Sequence, residues 1–143
     1  MLKVKTSTIP GAGKGLFTTT AISKNAKIIE YEGDYLTWNE VRKRYKGEIL
    51  DALYLFHLGP NKWIDAQQRP ECLARYANDA RGMTKISGLN NNSEYQIHEG
   101  KPYIVATKNI AANSEIFVDY TKDYWDALKE KHKGHKIPGR STK

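Results

Sequence analysis

Apolar, β-rich residues occur in this chain only as short runs, and a glycine stands close to almost every one of them. Lys27 to Tyr31 (KIIEY), Tyr103 to Thr107 (YIVAT) and Glu115 to Tyr120 (EIFVDY) are the clearest runs. Gly11, Gly13, Gly15, Gly33, Gly59-Pro60, Gly82, Gly88 and Gly100 punctuate the sequence between and around them. This is the pattern of many brief strands joined by turns, so a mostly β fold is expected. Helical signals are few. Thr37-Trp38-Asn39-Glu40 has the spacing of a capping box and opens a segment running toward Tyr45. Asp51 to Leu58 (DALYLFHL) is expected to add a helical turn or two, and Lys122 to Lys133 is a third helical candidate. No repeat of 20 to 50 residues is present.

A chain of 143 residues can bury one core without metal or disulfide staples. Apolar residues thin out after Leu128, so the domain is expected to span 1–125, with 126–143 as a basic tail that is partly helical or disordered. The single Cys72 excludes an internal disulfide and any multi-cysteine zinc site, and reads as a small buried hydrophobe in a reducing compartment. His57, His98, His132 and His135 are scattered and suggest surface histidines, so no metal site is expected. Neither a signal-peptide pattern nor a run of about 20 apolar residues occurs, which points to a cytoplasmic protein without a membrane partner.

The formal charge is +7, and it is uneven. Between Ala127 and Lys143 six cations face the one acid Glu130, so that +5 lies in the tail and +2 in the other 126 residues. Such a tail suits an acidic partner such as nucleic acid, or is simply a solvated terminus. Arg42-Lys43-Arg44-Tyr45-Lys46 interleaves cations with an aromatic ring, as phosphate contact and base stacking require, but it also reads as the exposed face of the capped helix.

Gly11-Ala12-Gly13-Lys14-Gly15 invites a nucleotide reading that its spacing refuses. A P-loop needs a glycine five residues before its Gly-Lys pair and a Ser or Thr after it, where this chain has Thr8 and Gly15. The dinucleotide fingerprint fails at Leu16, where its third glycine belongs. What remains is a glycine turn, either structural or a place where backbone amides and carbonyls approach a ligand closely.

Taken in order, the chain presents Gly13-Lys14-Gly15-Leu16-Phe17, Ile29-Glu30-Tyr31-Glu32-Gly33, Trp63-Ile64-Asp65-Ala66, Ala74-Arg75-Tyr76-Ala77-Asn78-Asp79, Asn91-Asn92 and Glu115-Ile116-Phe117-Val118-Asp119-Tyr120. This ordered set resembles the SET-domain protein lysine methyltransferases, and it spans residues 11 to 120. The resemblance implies several small, mostly antiparallel sheets, with a knot-like crossing of the segment after Asn78 and the C-terminal Asp119-Tyr120 segment. That threading is an exception to ordinary chain topology and is implied by the resemblance alone.

The same resemblance implies that S-adenosyl-L-methionine is the cofactor, held by the main chain of Ala12, Gly13, Lys14 and Gly15, by the Asn78 side chain and by the Asp79 backbone. Where the family usually has Asn-His, this chain has Asn78-Asp79. Asp79 must therefore find another donor or sit near solvent, with Arg75 as one candidate. Tyr120 matches the terminal catalytic tyrosine and Tyr31 a tyrosine that lines the substrate-lysine channel. Methyl transfer to an amine needs a neutral nucleophile aligned with the methyl group and screened from water. Tyrosine rings can wall the lysine stem while their hydroxyls orient the amine. Desolvation and the sulfonium charge both disfavour a charged lysine, so a dedicated base is unnecessary. Val118, smaller than the ring many relatives carry there, leaves room for products beyond monomethyl-lysine. Tyr54 and Tyr124 are further channel candidates, although Tyr54 also falls in an apolar helical stripe, and Trp125 is a candidate cover for the cofactor.

With one cysteine, the zinc segment of many eukaryotic relatives is missing, which suggests a minimal stand-alone protein of the bacterial or viral type. The function expected is methylation of a lysine in a protein substrate, such as a histone, a nucleoid protein or a ribosomal protein, by a monomer or homodimer. A nucleoid or nuclear location would follow. The competing expectation is a non-catalytic SET-like or small basic β module that binds nucleic acid or chromatin, in part through the tail.

Overall fold

The computed structural model describes residues 1–46, 54–80 and 88–120. In chain order the first strands are β1 (Leu2–Thr6), β2 (Lys14–Thr18), β3 (Lys27–Glu30) and β4 (Asp34–Leu36), followed by helix α1 (Trp38–Tyr45). Then come β5 (Leu55–Gly59), β6 (Lys62–Asp65), a 3-10 turn at Leu73–Tyr76, β7 (Ser93–His98), β8 (Lys101–Ala106), β9 (Glu115–Ile116) and β10 (Val118–Asp119). The fold is mostly β, as the glycine-punctuated runs imply, and is made of small separate sheets, as the family resemblance implies. The contacts divide it into two compact bodies.

The first body comprises Met1–Tyr31 and Leu73–Asp119. It holds an antiparallel sheet ordered β1-β2-β9 and a four-stranded sheet ordered β10-β7-β8-β3. The second sheet is antiparallel except for its edge, where β10 runs parallel to β7 through Val118 and Ser93. Leu16, Ile104, Ile116 and Val118 are fully buried there. The edge strand β1 turns Lys3 and Lys5 outward, charges that discourage further strand pairing, and Lys5 lies 4.4 Å over the Phe17 ring.

Glu115 to Tyr120, expected as one strand, is two. β9 pairs with β2 and β10 with β7, so the chain changes sheets at Phe117. The carbonyl of Phe117 accepts from the Asn92 and Ser93 amides at 3.0 and 3.1 Å and from Ser93 Oγ at 2.8 Å. Its own amide donates to Asn92 Oδ1 at 2.9 Å. Three donors on one carbonyl satisfy the peptide at the crossover, where the ladder of either sheet is interrupted.

The second body is built on Glu32–Cys72, and Tyr120 also belongs to it. Its sheet is ordered β4-β6-β5. The capping box forms as its spacing implies: Thr37 Oγ1 accepts from the Glu40 amide at 3.3 Å, and Glu40 Oε1 accepts from the Thr37 amide at 2.9 Å. Trp38, Val41 and Tyr45 recur on one face of α1 and gather with Leu36, Leu55 and Trp63 into a small core. The helical turns expected over Asp51 to Leu58 are corrected from Leu55 on, where the chain is strand β5; residues 51–53 lie outside the described ones. Leu55 pairs with Asp65 and Gly59 with Lys62 across a tight turn in which Asn61 has φ +52°. Ladder bonds to a strand only a few residues away thus outweigh the local helical spacing. The helix expected over Lys122 to Lys133 lies outside the described residues.

Asp65 is fully buried and ties this body together. Its carboxylate accepts from the Tyr45 hydroxyl at 2.5 Å, from Arg44 Nη1 at 3.2 Å and from the Gln67 amide at 3.0 Å. Burial and the Asp65 carboxylate push the Tyr45 phenol far above its ordinary range, so it remains a neutral donor. Arg44 also pairs with Asp34 at 3.0 Å. Cys72 is buried, as expected, and its sulfur accepts from the Glu32 amide at 3.2 Å.

Gly33 lies against the backbone of Asp65, where an added Cβ would run into the Asp65 carbonyl. The obstacle is main chain, so no rotamer change relieves it. Gly33→Ala is expected to cost about 1–3 kcal/mol, read as a lower denaturation midpoint at unchanged slope.

Candidate functional site

The glycine turn connects β1 to β2 and is open to solvent from Gly11 through Lys14. Gly11 and Gly13 have φ of +77° and +75°, and among the described residues nothing but the adjoining chain lies within 4 Å of where a Cβ would stand at either. The neck of the turn is closed by the Ser7 amide donating to the Gly13 carbonyl at 2.8 Å. Open space over left-handed backbone is what a ligand-facing turn requires.

Asn78 reaches this turn from the segment after the 3-10 turn. Its Nδ2 donates to the Lys14 carbonyl at 2.9 Å, although the two residues are 64 apart in sequence. Its own carbonyl accepts from the Val118 amide at 2.8 Å, and it forms a parallel bridge with Phe117. Asn78 and the terminal strand segment therefore lie side by side at this point. The structure thus brings together Gly13, Lys14, Gly15 and Asn78, with Val118 adjoining through its backbone.

Asp79 is 3% exposed, and it finds a donor in Asn91, whose Nδ2 reaches Asp79 Oδ1 at 2.9 Å. The other end of the same amide, Asn91 Oδ1, accepts from Ala80 N at 2.8 Å. Arg75, the donor considered from the sequence, places Nη2 3.0 Å from the Tyr76 hydroxyl.

Of the candidate channel residues, Val118 is fully buried in the first body, as is Tyr31. The Tyr31 ring meets Tyr95 edge to face at 6.1 Å, and its amide donates to the Pro102 carbonyl at 2.9 Å. Tyr120 belongs to the second body and is 5% exposed. Tyr54 is half-buried at the entry to β5 rather than on a helical stripe, and its carbonyl accepts from the Ala66 amide at 3.1 Å. Tyr124 and Trp125 lie outside the described residues.

Arg42 to Lys46 divides in two. Arg44 and Tyr45 turn toward Asp65, while Arg42, Lys43 and Lys46 are exposed and, with Asn39, line a surface concavity of about 390 Å³ on α1. His57 is exposed and stacks on Trp63 at 4.1 Å. Among the described residues no helix is long and apolar enough to cross a membrane.

Several residues that hold the turn were not assigned roles from the sequence. Ser7, Thr8 and Glu115 form a polar cluster beneath it, with Glu115 in the terminal motif and Ser7 and Thr8 just ahead of the glycines. Asn91 and Asn92 stand in the ordered set of motifs but carried no role of their own; their pairing with Asp79 and Phe117 explains them.

This chain belongs to the SET-domain family, whose model, described as SET domain, matches residues 13–121. It is 27% identical over 122 residues to the N-lysine methyltransferase KMT5A-A of Danio rerio, a match covering 78% of this chain and 33% of that protein. It is 29% identical over 147 residues to the histone-lysine N-methyltransferase EZH2 of Chaetomium thermophilum, covering 95% of this chain and 9% of that protein. Among solved structures, the crystal structure of an active polycomb repressive complex 2 in the basal state superposes with a TM-score of 0.72 at 26% identity, covering 99% of this chain and 17% of that one. The chain thus spans a third or less of the length of these relatives.

Because Asn91 serves a buried carboxylate and a buried amide at once, Asn91→Leu is expected to lower stability by about 1–3 kcal/mol. Amide exchange should accelerate at Ala80 before it does in β7 and β8.

Proposed function

We propose that this chain is an S-adenosylmethionine-dependent protein-lysine N-methyltransferase acting on a histone or histone-like protein. The observation that carries the reading is the grip of Asn78 on the Lys14 carbonyl beside an open glycine turn, in a chain of the SET-domain family. The turn fits the amino-acid end of the cofactor: Ala12, Gly13 and Lys14 expose their main chain, Gly15 lies buried directly behind them, and Asn78 adds a polar side chain. When bound, the cofactor supplies a methyl group on a positively charged sulfur.

The residues of this chain do the rest. Tyr31 walls the apolar stem of the target lysine, and Tyr120 orients its amine through the phenol oxygen. Desolvation of the bound lysine disfavours its ammonium form, which leaves the lone pair free for in-line attack. Val118, in place of a larger ring, leaves space for an amine that already carries a methyl group. Names of relatives that act on histones support a chromatin substrate. The exposed cations of α1 and the basic tail support a further contact with nucleic acid.

Calorimetric titration with S-adenosylmethionine tests the cofactor site. The wild type should bind, and Asn78→Ala should bind about tenfold more weakly. No heat and no thermal shift at millimolar cofactor would overturn the enzyme reading in favour of a binding module. With core histones as substrate, Tyr120→Phe should lose on the order of 10²-fold in rate while keeping cofactor affinity. Mass spectrometry of the wild-type product should show dimethyl- as well as monomethyl-lysine.

A further inference from the structure

Glu115 is 5% exposed, yet its carboxylate takes no part in the β9–β2 ladder it belongs to. Oε2 accepts from Ser7 Oγ at 2.7 Å, and Oε1 accepts from the Thr8 amide at 2.8 Å and from Thr8 Oγ1 at 2.7 Å. A two-residue strand needs no buried charge to pair, and burying one without partners is costly, so its contacts identify its task. They converge on the loop that opens the glycine turn.

Both flanks of the turn are set by this one group. At the entry, Ser7 is held by the carboxylate while its amide closes the neck onto the Gly13 carbonyl at 2.8 Å, and its Oγ accepts from the Ile9 amide at 3.0 Å. At the exit, Glu115 Oε2 occupies the space where a Cβ on Gly15 would stand, with Ser7 Cβ 3.2 Å from the same point. The main chain of Glu115 is fixed in turn, since its carbonyl accepts from Asn92 Nδ2 at 3.0 Å and Phe117, two residues on, bridges to Asn78. The exposed stretch Gly11 to Lys14 is thus suspended between two points that Glu115 determines.

We infer that Glu115 is a positioning residue for the cofactor turn: clamping Ser7 and Thr8, it holds the backbone of Ala12 to Gly15 in the geometry that receives the amino-acid end of S-adenosylmethionine. The inference rests on the proposed methyltransferase reading. Hydrogen-bond energy falls steeply with distance and angle, so a turn released by a few tenths of an ångström loses affinity without losing any contact group.

The test uses the full chain and S-adenosylhomocysteine as the probe, titrated at a temperature where circular dichroism shows each variant folded. Thr8 is exposed, so Thr8→Val removes one clamp bond at little risk to the fold, and Thr8→Ser keeps the hydroxyl. Glu115→Ala should weaken binding at least about tenfold and Thr8→Val about threefold, while Thr8→Ser should match the wild type. In turnover with core histones, the Thr8→Val loss should appear in the cofactor KM and not in kcat at saturating cofactor. If Glu115→Ala does not fold, the contrast between Thr8→Val and Thr8→Ser decides. Wild-type affinity in Thr8→Val and in any folded Glu115→Ala would overturn this inference alone, as would equal weakening by Thr8→Ser. Failure of the wild type to bind would overturn the methyltransferase reading, and the inference with it.

Discussion

The peptide of Phe117 is where the first body is joined, because its carbonyl bonds to Ser93 at the start of β7 and to Asn92, and its amide bonds to the Asn92 side chain, at the point where the chain leaves one sheet for the other. Asn92 meets it on both sides, with its own amide and Oδ1 on Phe117 and its Nδ2 on the Glu115 carbonyl. A side-chain amide presents the same donor and acceptor as a backbone peptide, so Asn92 behaves as a length of strand in a position no strand occupies. With Phe117 fixed, β9 can close the sheet of β1 and β2 while β10 extends the sheet of β7, β8 and β3. The bridge from Phe117 to Asn78 then brings Asn78 to the Lys14 carbonyl.

Each body depends on a buried carboxylate that faces a glycine. Asp65 binds Tyr45, Arg44 and the Gln67 amide, and its main chain fills the space over Gly33. Glu115 binds Ser7 and Thr8, and its side chain fills the space over Gly15. In both, an acid able to accept several hydrogen bonds gathers donors from distant parts of the chain, and the absent Cβ allows the close approach. In both, charge-assisted bonds order the loop that the carboxylate faces.

Legibility followed the range of the interaction. The Thr37–Glu40 capping box is closed by residues three apart and was readable directly. β3 and β8 were readable from β-branched runs, though not which of them pair. The helical reading failed over Leu55 to Leu58 because periodicity says nothing about the ladder that Leu55–Gly59 makes with Lys62–Asp65. The division of Glu115 to Tyr120 was hidden for the same reason, since a strand changes sheets according to its partners. Lys14 and Asn78 could be joined beforehand only through family resemblance, and the clamp of Glu115 on Thr8, across 107 residues, had no local signal.

Asp79 shows how the chain departs from its family pattern without losing the arrangement around it. An imidazole at this position would offer a donor to the interior, whereas a carboxylate offers acceptors. Asn91 reverses that polarity: it gives Asp79 a proton donor from Nδ2 and accepts the Ala80 amide on Oδ1. These two bonds lie next to Asn78 and do not run through its side chain. Asn78 keeps its carbonyl on Val118 and its amide on Lys14, so the glycine turn is held by groups that the change from histidine to aspartate does not touch.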